Sequence, residues 1–196
     1  AKIIYPETEV SNTHGQIKIK LENSNSNAIE ALSNGALDGL KLAGNIAAML
    51  IAFISIIALL DYSIEFLTTF IGLKNISLDE IFSFIFRPLA WSMGVPWNES
   101  HFVGSLMGKK IVFTELVAYA DLKDIIALNE ISDRTAIISS YALCGFANFG
   151  SIGIQLGGIG GIAPNRKKEL AEIVSKAMIG GALASWLTAT IAGILI

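Results

Sequence analysis

Charged residues are scarce in this sequence. They make up 16% of its 196 residues, whereas 53% of the residues are hydrophobic, and the mean hydropathy is +0.59. Water-soluble domains average about 25% charged and about 45–50% apolar residues. The apolar residues also come in long runs, such as AAMLIAFISIIALL at residues 47–60. The composition therefore predicts an integral membrane protein with the lipid bilayer as its surroundings.

Several other scarcities exclude classes of function. A single cysteine, Cys144, excludes an internal disulfide framework and a multi-cysteine zinc site. The net charge is only -3 and no basic patch is interleaved with aromatic residues, so we expect no nucleic-acid partner. The sequence has neither a His-Glu zinc pattern nor a serine in a nucleophile elbow. We therefore expect no enzyme, no catalytic residue, no resident cofactor and no metal-ligating residue.

The apolar runs and the residues that interrupt them predict an all-α membrane fold. We also expect the chain to be part of a longer polypeptide, because it begins with a polar segment and with Ala1 rather than methionine. Six segments are predicted: a polar segment and amphipathic interfacial helix at 1–37, a transmembrane helix at 38–73, an interfacial helix at 77–94, a re-entrant hairpin at 96–127, a broken transmembrane helix at 130–163 and a C-terminal transmembrane helix at 166–196.

The hairpin is predicted from two apolar stretches, 102–107 and 116–120, which are each too short to cross a bilayer. The polar residues between them suggest a tip that dips into the membrane and returns. A soluble surface loop is the alternative, but it would leave two apolar half-helices in water. Glu115 lies at the predicted tip, where an ionisable residue at membrane depth indicates a functional site. A simple salt bridge from Glu115 to Lys109 or Lys110 remains the competing interpretation.

The stretch CGFANFGSIGIQLGGIGGIAP at residues 144–164 is apolar but rich in glycine, which weakens a helix. We expect it to unwind, and unwound backbone at membrane depth is tolerated where it lines a protein-buried or watery cavity. Asn148 and Ser151 would then be exposed to a polar solute. The alternative is that the glycines only allow close helix packing, which leaves Asn148 beside an aromatic residue unexplained.

Glu115, Asn148 and Ser151 together predict a polar pocket. Carboxylate, amide and hydroxyl groups suit a vicinal diol such as ribose better than a bare cation. Phe146 would supply an apolar face for a ring, or would pack toward lipid.

These residues resemble the concentrative nucleoside transporter family. The resemblance rests on YPETE near the start, GSLMGKK followed by TELVAY, then ALCGFANFGSIGI and GIAPNRKKE, and it covers the C-terminal half of that family. It implies that Glu115, Asn148 and Ser151 bind the ribose and that Phe146 lines the site. It also implies a homotrimer and a sodium site that lies mostly on the other half. The family typically has Asn and Phe at the positions of Thr114 and Leu116. The resemblance therefore does not define the nucleoside preference.

We therefore predict the substrate-binding half of a cation-coupled nucleoside symporter, driven by sodium or protons, that works by alternating access. A transporter of another polar solute, such as a nucleobase or an amino acid, and a non-transporting membrane scaffold subunit are the alternatives. The basic loop at residues 166–168 predicts a cytoplasmic loop and hence an external C-terminus. The expected location is the bacterial-type inner membrane or the plasma membrane.

Overall fold

Seven α-helices make up most of the part of the chain that the structure describes. The computed structural model describes residues 3–6, 27–72 and 76–196. The helices are α1 (Ala28–Phe70), α2 (Leu78–Ser92), α3 (Ser100–Val112), α4 (Glu115–Ala127), α5 (Asp133–Leu143), α6 (Phe149–Ile162) and α7 (Lys167–Leu195), with a 3₁₀ turn at Pro164–Arg166. No strand occurs within those described ranges, so the predicted all-α fold is confirmed. Within the predicted segment at 1–37, residues 1–2 and 7–26 lie outside the described residues.

Helix α1 is continuous over 43 residues. The Asn27 side chain caps its start by accepting a hydrogen bond from the Glu30 backbone N–H at 2.9 Å. The prediction of an interfacial helix followed by a separate helix from residue 38 is thereby corrected. Gly35 and Gly39 do not interrupt α1, since an interior glycine costs only about 1 kcal/mol and no proline lies in the helix.

Two helices are long and apolar enough to cross a membrane, by length and composition. They are α1 and the segment Pro164–Leu195, which contains α7. A bilayer core about 30 Å thick needs about 20 residues of helix. The remaining helices are shorter, and among them α6 is an apolar helix of 14 residues.

Helix α2 begins with a capping box, in which Ser77 accepts from the Glu80 backbone N–H and the Glu80 carboxylate accepts from the Ser77 N–H. The Leu78 N–H also donates to Asp61 Oδ1 at 2.7 Å, which ties the start of α2 to α1. Helix α2 then packs very closely on α3. A Cβ at Gly104 would lie only 2.6 Å from the Ser83 carbonyl oxygen, so only glycine allows this approach.

The short helices form a helix-turn-helix pair and an interrupted helix. Helices α3 and α4 are joined at residues 113–114, inside the predicted hairpin tip, and α5 and α6 are separated by the non-helical residues 144–148. A small buried cluster joins the hairpin to the end of α5. It consists of Leu106, Ala118, Leu122 and Leu143.

The larger core lies between α2, α3, α5 and α7. Its fully or nearly fully buried members include Met93, Val103, Met107, Ile138, Ala142, Met178, Ala182 and Ala189. These helices therefore form one packed body around the hairpin.

The glycines of the interrupted helix serve two different purposes. Only Gly145 lies in the break, where its φ is +152°. Gly153 and Gly157 lie inside α6 and let it pack on α1: a Cβ would come 3.1 Å from the Met49 carbonyl oxygen at Gly153 and 3.2 Å from that of Asn45 at Gly157. The expectation that the glycines as a group unwind the span is therefore wrong for those in α6, where close packing is the reason for them.

The Gly104 contact generates a stability prediction. We expect Gly104→Ala to destabilise the fold by about 1–3 kcal/mol, because its Cβ meets a backbone carbonyl that cannot rotate away. The measurement is thermal unfolding of the detergent-purified full-length protein. Gly158→Ala is the matched control, since its Cβ would meet Ile46 at an ordinary 3.8 Å. Equal melting temperatures for the two variants would contradict the prediction.

Candidate functional site

Asn148 forms the start of α6 after the break. Its Oδ1 accepts from the Ser151 backbone N–H at 2.7 Å, and the Asn148 N–H donates to Ser151 Oγ at 3.2 Å. The Ser151 hydroxyl donates in turn to the Asn148 carbonyl at 2.5 Å. Asparagine is among the best residues for this position, because its side chain satisfies a helix N–H that has no partner within the helix. Both residues are 1% exposed, so the break ends in a rigid, buried polar group.

Glu115 forms the start of α4, directly after the hairpin turn at residues 113–114. Asn148 Nδ2 donates to Glu115 Oε2 at 3.2 Å. The N-termini of α4 and α6 therefore meet at this hydrogen bond. Both helix dipoles place partial positive charge there, which favours the half-buried carboxylate and suits an electron-rich ligand.

Three of the four predicted site residues come together in this way, and the fourth does not join them. Glu115, Asn148 and Ser151 form one hydrogen-bonded set. Phe146 lies in the same non-helical segment, but its side chain is 57% exposed. Its ring therefore faces outward from this chain rather than covering the set.

The two lysines of the hairpin do not form the competing salt bridge. Lys109 Nζ pairs with Asp121 Oδ2 across the hairpin. Lys110 is 0% exposed, and its Nζ donates to the Ala142 carbonyl and to Ser185 Oγ, each at 3.0 Å. No ion pair within 4 Å joins Glu115 to either lysine among the described residues. The interpretation of Glu115 as a surface salt-bridge residue is therefore wrong.

The sequence did not predict that Lys110 would be buried with two hydrogen-bond acceptors. Its only signal was a charged residue within an apolar hairpin, which the adjacent Lys109 made ambiguous. No group of three or more His, Cys, Asp or Glu side chains that could hold a metal ion occurs in the described part of the chain.

A family model decides the classification. The model of the Na+ dependent nucleoside transporter C-terminus matches residues 1–193. The chain belongs to this family. The predicted resemblance to the C-terminal half of concentrative nucleoside transporters is confirmed, and the relatives are transporters rather than enzymes.

Individual relatives agree with the family. The chain is 42% identical to the uncharacterized transporter YutK of Bacillus subtilis and 37% identical to the nucleoside permease NupC of Helicobacter pylori, covering all of this chain and 48% and 47% of those proteins. It is 40% identical to solute carrier family 28 member 3 of mouse, of which it covers 30%. The chain thus spans about half the length of the bacterial relatives and less of the mammalian one.

Solved structures of CNTnw variants are similar as well. One variant in an outward-facing state has a TM-score of 0.83 at 38% identity, over 89% of this chain and 44% of that one. Another, in an intermediate state, has a TM-score of 0.82 at 37% identity, over 99% and 47%. These are membrane protein structures, so the predicted all-α integral membrane class is confirmed.

The Asn148–Glu115 hydrogen bond generates a prediction that is independent of activity. Asn148→Asp keeps the helix cap, because aspartate caps as well as asparagine, but it sets two carboxylates against each other. We expect a lower melting temperature for this variant. Adding Glu115→Gln restores a donor–acceptor pair with the roles exchanged, so the double variant should regain most of the loss. A double variant that melts lower than both single variants would show that the hydrogen bond does not link hairpin and helix.

Proposed function

We propose that this chain is the substrate-binding half of a cation-coupled nucleoside symporter. The observation that carries the proposal is the hydrogen bond between Glu115 at the hairpin turn and Asn148 at the helix break. It brings acceptor and donor groups together where two helix N-termini meet. The family description and the name of the Helicobacter pylori relative support nucleosides as the solute.

The ribose of a nucleoside suits this pair of side chains. A carboxylate has about four lone-pair positions, of which Asn148 uses one, so Glu115 is able to accept from both hydroxyls of a vicinal diol. The Asn148 amide carries two N–H groups and is able to donate to a sugar oxygen as well. Ser151 completes the site by holding Asn148, and it reaches the sugar if its hydroxyl turns away from the Asn148 carbonyl.

The base would bind beside the sugar. The exposed ring of Phe146 offers an aromatic face for stacking, and the side chains flanking Glu115 border the same end of α4. Leu116 is 74% exposed, so the group that covers it belongs to the rest of the transporter, to a lipid or to the base. We therefore expect the base preference to be set jointly by this chain and by the remainder of the protein.

Transport would follow from alternating access. In this proposal the hairpin α3–α4 and the interrupted helix α5–α6 move together, and α1 belongs to the scaffold past which they move. The coupling ion is sodium by the family's description, bound mostly outside this chain. The C-terminus lies outside the cell, the hairpin enters from the external side, and three copies assemble around the scaffold.

Two other functions make different predictions. A transporter of nucleobases would be inhibited by free bases as strongly as by nucleosides. A scaffold subunit would support no uptake under any ion gradient. The Glu115 carboxylate favours transport of a hydroxyl-bearing solute over both, since capping the helix break requires Asn148 but not a carboxylate with further acceptor positions.

Glu115 provides the first test of the proposal. We expect Glu115→Gln in the full-length protein to abolish uridine uptake, because the neutral amide accepts hydrogen bonds more weakly than the carboxylate. The measurement is radiolabelled uridine uptake into proteoliposomes, normalised to inserted protein. Glu130→Gln, in the exposed turn between α4 and α5, is the matched control and should transport normally. Uptake by the Glu115 variant equal to the control would remove the ribose role.

Asn148 provides a test of selectivity. We expect Asn148→Ser, which retains a helix cap, and Asn148→Ala to weaken uridine binding more than uracil binding, since the lost amide faces the sugar. Competition of each compound against radiolabelled uridine measures this difference. Equal losses for nucleoside and base would mean that Asn148 serves packing alone.

A further inference from the structure

Lys110 is the most deeply buried charged residue in the described part of the chain. Its side chain is 0% exposed, although lysine is almost never fully buried unless it is paired. The substrate contacts proposed above make no use of it. Lys110 lies in the last turn of α3, where the C-terminal end of a helix dipole favours a positively charged residue.

The partners of Lys110 place it at the other side of the helix break from Asn148. It donates to the Ala142 carbonyl, in the last turn of α5, where helix carbonyls have no partner within the helix. It also donates to Ser185 Oγ on α7, whose own hydroxyl donates to the Ala182 carbonyl at 2.9 Å. The ammonium therefore joins the hairpin, the end of α5 and the last helix.

The unwound segment passes directly over this contact. A Cβ at Gly145 would lie 3.3 Å from Ser185 Cβ and 3.7 Å from Lys110 Nζ. A second hairpin residue supports the same end of α5, since the Tyr119 hydroxyl donates to the Ser140 carbonyl at 2.7 Å. The position of the chain after α5 thus depends on side chains of the hairpin.

Charges and helix ends match across the hairpin turn. The C-terminal ends of α3 and α5 converge on the Lys110 ammonium, and the N-terminal ends of α4 and α6 converge on the Glu115 carboxylate. The ammonium thus binds a helix C-terminal end and the carboxylate lies at helix N-terminal ends, which is the arrangement that helix dipoles favour.

We propose that Lys110 is a positioning residue for the substrate site. Its ammonium fixes the α5 end of the break through the Ala142 carbonyl, while Glu115 fixes the α6 end through Asn148. The proposal rests on the proposed function for its effect on nucleosides. Fixing both ends of the five-residue segment 144–148 sets where Asn148 lies relative to Glu115. Lys110 thereby determines substrate affinity without touching the substrate.

Kinetics on the full-length protein in proteoliposomes test the positioning role. We expect Lys110→Met to raise the uridine KM by about tenfold or more and to change Vmax per inserted protein by less than about threefold. Lys109→Met, which removes the charge that pairs with Asp121, is the matched control and should leave KM within about twofold. Ser185→Ala removes one acceptor of the ammonium and should also raise KM, by a smaller factor. This variant tests the positioning role if Lys110→Met does not fold.

A double-mutant cycle on melting temperature tests the coupling between Lys110 and Glu115 without any transport measurement. We expect Lys110→Met to lower the melting temperature less in a Glu115→Gln background than in the wild type, because the two residues hold the two ends of the segment 144–148 and the loss of one contact already loosens it. Additive effects, or an unchanged KM in both Lys110→Met and Ser185→Ala, would overturn the proposal. A non-additive cycle in a protein that takes up no nucleoside would leave the Lys110–Glu115 coupling standing and remove the proposed function instead.

Discussion

Interrupting a helix inside a membrane leaves backbone groups that need partners, and the arrangement of this chain follows from that constraint. Water is not available in the hydrocarbon to satisfy them, so each free carbonyl and N–H must be met by protein. At the end of α5 the partner of the Ala142 carbonyl is Lys110, and Tyr119 adds a second hydrogen bond to the Ser140 carbonyl, which also accepts from the Cys144 N–H. At the start of α6 the partner is the Asn148 side chain, which accepts from the Ser151 N–H. The hairpin is therefore needed to complete the interrupted helix.

The same constraint explains why a polar site exists in so apolar a chain. The residues that satisfy the break are themselves polar or charged, and they must be compensated in turn. The Asn148 side-chain oxygen caps α6, and its side-chain nitrogen donates to Glu115. The carboxylate then retains acceptor positions for a ligand. The Asn148 side chain thus both caps α6 and holds Glu115.

The glycines at residues 144–164 were predicted to unwind the span, but those inside α6 allow close packing instead. Their density at residues 144–164 indicated a weak helix, which holds for Gly145 alone in the break. Inside α6, Gly153 and Gly157 instead bring the helix axis close to α1, because any Cβ there would press on the backbone of α1. Composition reports that a segment has little side-chain bulk, but it does not tell whether the space is used for unwinding or for packing.

Much of the secondary structure followed from the sequence, because it depends on local interactions. The short apolar stretches of the hairpin and the break before α6 are properties of neighbouring residues. The continuity of α1 was missed because its early polar residues resemble a separate surface helix.

By itself, the sequence determined the membrane class, the helical content and the residue types available to a site. Only the tertiary structure decided which of these residues meet. It paired Glu115 with Asn148, placed Lys110 against Ala142 and Ser185, and left Phe146 outside the hydrogen-bonded set. The partners are 32 to 75 residues apart. Contacts over such separations depend on how whole helices pack, which no local pattern specifies.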